Sequence, residues 1–197
     1  MRLLTVRDDA PGVRQAGTLC MVGAAIQIAA GVLVTLRPAW ADSSSAFFRY
    51  GVVLFVLVGL FTVAGLLGLR SSGAVGTGAL ATLGIGLAVL GRGVFIAGEV
   101  IDRIALDVGH AVLSIAEPIT ALGLVIAGIG VLRARVWRPG WRLIPLLCGL
   151  YIPIVLIPAF VANNGPNFLV VAGQGVLWLA LGYALRSQPI GSPEGEA

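Results

Sequence analysis

Six runs of about 20 apolar residues follow one another along the chain with only short breaks between them, and no other feature restricts the fold so tightly. Reading apolar length between charged or turn-forming breaks places them at roughly 15–36, 50–69, 75–98, 109–132, 142–162 and 167–186. A helix needs about 20 residues to cross the ~30 Å hydrocarbon core of a bilayer, so each run is long enough to span it. The breaks contain Arg37-Pro38, Arg70 to Gly73, Asp102 to Asp107, Arg138-Pro139-Gly140 and Asn163 to Pro166, all turn or helix-breaking chemistry and none long enough for a soluble domain. The expected fold is therefore all-α: a polytopic transmembrane helix bundle of six spans over residues 15–186. Residues 1–14 are expected as one cytoplasmic tail and the polar, Pro- and Gly-rich residues 187–197 as a second, disordered one.

Composition excludes a soluble reading, because 58% of residues are hydrophobic, only 11% are charged and the mean hydropathy is +0.99. A cleaved leader is the competing reading of the N-terminus, since Arg2, Arg7 and Arg14 precede an apolar run ending in Ala39-Trp40-Ala41. That run is too long for a secretory h-region of 7 to 15 residues, so it is read as the first span. In the fifth span Pro145, Pro153 and Pro158 lead us to expect a bent helix.

All 13 basic residues are Arg, and nine of them (Arg2, Arg7, Arg14, Arg70, Arg133, Arg135, Arg138, Arg142 and Arg186) fall on one side of the expected topology. Arg37, Arg49 and Arg103 fall on the other, so the positive-inside rule puts both termini in the cytoplasm of a multi-pass inner-membrane protein. The pI of about 9.8 then reflects topology, and no nucleic-acid partner is expected. The two cysteines, Cys20 and Cys148, fall within spans that start on the reducing side and are expected to be unpaired.

Ionisable residues inside the apolar runs are the candidate functional groups, since each is costly in hydrocarbon. The third run carries Arg92 in the stretch GRGVFIAGEV, and Thr77, Ala81, Gly84, Ala88, Arg92 and Glu99 fall on one helical face. The fourth carries a matching stripe of His110, Ser114, Glu117, Ala121 and Gly128. If the two form an antiparallel hairpin turning at residues 104 and 105, residues whose numbers sum to 209 face each other, which pairs Arg92 with Glu117 and Glu99 with His110, either as buried ion pairs that hold the hairpin together or as a polar site for a ligand or proton. Gln27 in the first span and Gln174 in the sixth are weaker candidates to join the same polar site, either as interhelical hydrogen bonds or as the lining of one cavity.

No G-x-S-x-G, H-E-x-x-H, P-loop or complete G-x-G-x-x-G pattern is present, so no cofactor and no enzymatic activity is expected. His110 and Ser114, four apart, form only a partial dyad; one His cannot give bis-His haem ligation, and one His with two Glu is a thin set for zinc. In overall character the whole chain resembles the small, uncharacterised six-span integral membrane proteins of high-G+C bacteria, with Arg-only charges and almost no loops. That resemblance is compositional and implies no site residues. Two functional classes follow: a bundle that binds or moves a small molecule, lipid or proton at the polar stripe, or an accessory subunit that docks a membrane protein partner, or its own copy, through Gly-rich helix faces. An intramembrane enzyme is the third and has the least behind it.

Overall fold

The structure, a computed structural model, describes residues 10–42 and 45–187. Helix α1 covers Ala10–Leu36 and is followed by a 3-10 turn at Pro38–Ala41; α2 covers Ala46–Ser71, α3 Ala79–Asp102 and α4 Leu106–Ala134. The fifth span comprises α5 (Ile144–Tyr151), a π-helical segment (Ile152–Leu156) and α6 (Ile157–Ala162), and α7 (Phe168–Ser187) is the last. No strand occurs among the described residues. Six spans of 19 to 29 residues, with mean hydropathy from 1.8 to 2.7, are long and apolar enough to cross a membrane.

Several helix ends extend past the apolar edges, but α3 begins at Ala79, four residues after the expected 75, so Thr77 of the expected stripe precedes the helix. α1 starts at Ala10, so residues 10–14 of the expected tail are helical, with Pro11 in the first turn where its missing N–H costs nothing. α4 likewise starts at Leu106 and takes in Asp107. Hydropathy marks where hydrocarbon ends, whereas a helix continues through interfacial residues that still form its hydrogen bonds. The rest of the expected tails, residues 1–9 and 188–197, lies outside the described residues.

Each span packs on its chain neighbours and the last closes on the first, giving a ring in the order α1, α2, α3, α4, α5, α7. α2 also touches α7, so the ring is narrow and filled by side chains. The most extensive interfaces are α3 with α4 and α1 with α7. Both are built on glycine. A Cβ on Gly84 would stand 2.6 Å from the Ala127 nitrogen, and one on Gly17 would stand 2.7 Å from the Gly182 carbonyl oxygen, so these backbones meet at distances only glycine permits.

Outward-facing apolar side chains confirm the solvent. Leu60, Leu83, Leu90, Ile115 and Leu122 are each at least half exposed around the ring, an arrangement water would penalise and lipid does not. The interior holds Leu66, Leu124, Trp137, Trp178, Leu181 and Leu185. The expected bend of the fifth span takes the form of the π segment: Pro153 and Pro158 each remove an amide hydrogen bond, and the ladder reopens through longer i→i+5 spacing. Fold and hydropathy together define an integral, multi-pass membrane protein with a helical bundle.

Candidate functional site

Gly91 brings α3 against the α4 backbone at Thr120, and that close approach puts Arg92 within reach of Glu117. Arg92 is 3% exposed. Its Nη1 donates to Glu117 Oε1 at 3.0 Å and its Nη2 to Oε2 at 3.3 Å, a bidentate pair. The rings of Phe95 and Trp178 each lie 5.3 Å from the guanidinium carbon and give it two aromatic faces. Its Nε is buried without a hydrogen-bond partner.

The pair does not stand alone. Glu117 Oε2 also accepts a long hydrogen bond from Gln174 Nε2 of α7 at 3.4 Å. Gln174 Oε1 accepts from Gln27 Nε2 of α1 at 3.2 Å, and the same amide donates to the Val171 carbonyl at 2.9 Å. Four side chains from four spans thus form one chain of contacts, Arg92, Glu117, Gln174, Gln27, across the ring. Gln27, Arg92 and Glu117 lie nine to eleven residues from the helix ends nearest the α3–α4 turn, about 15 Å, which puts them near mid-membrane. At 3.0 Å the gross attraction of the pair is about 5 kcal/mol for an effective dielectric of ~20. Desolvation costs several kcal/mol per ion, so the pair adds little net stability while its loss on one side would cost much.

Two expected partners are not brought together. Glu99 does not face His110: it pairs with Arg103 at 3.4 Å, and His110 Nε2 lies 3.3 Å from Asp102 Oδ1. The closest backbone approaches match Gly84 with Ala127, Ala88 with Gly123 and Asp102 with Gly109, so facing residues sum to 211 and not to 209. α3 runs on to Asp102 and Gly109 packs directly against it, which moves the turn by one residue and each facing position by two. Arg92 reaches Glu117 despite the offset because its side chain is long.

Glu99, Asp102, Arg103 and His110 therefore form a second cluster at the α3–α4 turn, where Arg103 also pairs with Asp102 and lies 4.0 Å from the Phe48 ring of α2. Glu99 is seven residues, roughly 10 Å, from Arg92 along α3, so the two clusters sit at different depths. His110 is largely exposed, and the Ser114 hydroxyl, also exposed, donates to the Ala111 carbonyl at 2.7 Å. Among the described residues no three His, Cys, Asp or Glu converge as metal ligands.

Sequence reasoning missed Asp102 and Arg103, because charges at the end of an apolar run read as a connection. It also missed Trp178 as a wall of the site. Cys20 and Cys148 are unpaired and buried, and Cys20 Sγ contacts the Trp178 carbonyl at 3.4 Å. Comparison with protein-family models, with curated proteins and with solved structures finds no match to this chain. The functional reading therefore rests on the residues themselves.

Proposed function

We propose that this membrane protein binds or moves a small molecule, lipid or proton at the Arg92, Glu117, Gln174, Gln27 assembly. The observation that carries the reading is convergence: four polar side chains from four spans meet near mid-membrane, where each is costly, although glycine packing already holds α3 to α4. In this reading Arg92 holds an anionic or hydrogen-bond-accepting group, Glu117 exchanges a proton or a cation, and the two glutamines orient what is bound. The π segment packs on both α4 and α7, the helices that carry Glu117 and Gln174, and gives the fifth span a place to yield when the site opens. We assign no catalytic residue. We place the protein in a bacterial inner membrane with both termini cytoplasmic, following the arginine distribution; a C-terminal reporter active only in the cytoplasm tests that placement.

A second reading, an accessory subunit, has one specific observation in its favour. Gly86 and Gly93 face out of the ring on α3, and a Cβ at either would meet nothing within 4 Å, so another helix could approach closely there. One experiment separates the two. Gln174→Cys in a background with Cys20 and Cys148 changed to Ser should react with a small polar thiol reagent if the interior is a hydrated binding site. Failure to react, together with loss of a co-purifying protein in Gly93→Leu, would favour the subunit.

A further inference from the structure

The end of the bundle where α1 begins and α7 ends carries Arg14, Arg70 and Arg186 together with the arginines of the 133–142 connection. Among the described residues every carboxylate lies elsewhere: Asp42, Glu99, Asp102 and Asp107 toward the opposite end and Glu117 in the interior. On the outside of the ring near this end is an apolar groove of about 330 Å³, lined by Met21 of α1, Leu179, Ala180 and Tyr183 of α7, and Trp141.

Its third wall is held in place. Arg142 donates from Nε to the Trp137 carbonyl and from Nη2 to the Arg135 carbonyl at 3.0 Å, which folds the connection back on itself. Trp137 is buried beneath it, and the Trp141 ring rests 5.5 Å from the Tyr183 ring. Tyr and Trp rings at such a rim suit the depth at which headgroups give way to chains.

Arg14 precedes Met21 by seven residues and Arg186 follows Leu179 by seven, so each arginine stands on a wall of the groove, about 10 Å nearer the end of the bundle. The contact of Gly17 with Gly182 and with the Arg186 backbone brings the two helices together at this level, and both arginine side chains are exposed. We infer that this groove holds an acyl chain of an anionic phospholipid whose phosphate is bound by Arg14 and Arg186. The apolar lining fits the chain and excludes a polar solute, and the guanidinium fork fits a phosphodiester. Charge complementarity selects an anionic over a zwitterionic lipid by about five-fold per arginine. The site is independent of the interior assembly.

The test uses the full chain in vesicles containing phosphatidylglycerol or phosphatidylcholine brominated on the acyl chains, which quench neighbouring tryptophans. The contribution of Trp141 is isolated by comparison with Trp141→Phe. We expect half-maximal quenching of Trp141 at a roughly 25-fold lower mole fraction of brominated phosphatidylglycerol than of brominated phosphatidylcholine, and near parity in the Arg14→Gln/Arg186→Gln variant. Ala180→Phe, which fills the groove without altering charge, should abolish the quenching. Equal quenching by the two lipids in the unaltered protein, a preference that survives the double replacement, or quenching unaffected by Ala180→Phe would each overturn the site.

Discussion

Replacing Glu117 by Leu leaves the Arg92 guanidinium in the interior with 3% exposure, its Nη1 and Nη2 donors unmatched and only the Phe95 and Trp178 rings to hold its charge. Removing one partner of a buried pair costs about 3–5 kcal/mol, and the unpartnered Nε places this case toward the upper end. Arg92→Leu should cost less, about 2–3 kcal/mol, because the Glu117 side chain keeps 17% exposure and the Gln174 amide. The double replacement Arg92→Leu/Glu117→Leu removes both charges and substitutes apolar volume, so it should lie within about 1 kcal/mol of the unaltered protein. The coupling energy of this cycle is then at least about 4 kcal/mol, well above what independent sites show. Unfolding of the four proteins in mixed micelles supplies the numbers, and about 2–4 °C per kcal/mol makes the differences visible in thermal melts. A double variant whose loss equals the sum of the single losses would refute the buried-pair reasoning.

Three further outcomes follow from the packing. Gly84→Ala should destabilise by about 1–3 kcal/mol because its Cβ meets the Ala127 backbone, whereas Gly93→Ala, which faces open space, should be neutral or slightly stabilising in the same melts. Tyr151→Phe loses the hydroxyl bond to the Val170 carbonyl at 2.9 Å and should cost about 1 kcal/mol, measured by thermal unfolding. Arg142→Gln should loosen the 135–142 connection, shift the emission of Trp137 and Trp141 to longer wavelength, and destabilise by about 1.5–3 kcal/mol.

Span number and the Arg92–Glu117 pair were legible in the sequence because both follow from coarse quantities: apolar length against membrane thickness, and helical spacing of costly charges. Gln27 and Gln174 could be named but not placed, since which helices close the ring is decided by where glycines let backbones meet. Gly17 opposite Gly182 and Gly31 opposite Phe168 settle the α1–α7 contact, and such pairs are invisible when a chain holds 28 glycines. The Glu99 to His110 pairing failed by two positions for a similar reason. Hairpin register depends on how far α3 runs before turning, and the charged Asp102 and Arg103 read as a loop although α3 continues through Asp102. Ser114 is exposed and bonded to its own helix because the face of α4 that packs on α3 is Gly109, Ala116, Thr120, Gly123 and Ala127, one position round from the expected stripe.

Native mass spectrometry of the protein released gently from membranes tests the interior binding site most directly, with the unaltered chain compared against Arg92→Leu/Glu117→Leu, the variant expected to keep its fold. A small molecule or lipid of defined mass should leave with the unaltered protein and be absent from the variant, beyond the phospholipids common to both. The same bound species on both proteins, or only a bound protein of defined mass, would contradict it and make the Arg92–Glu117 pair structural.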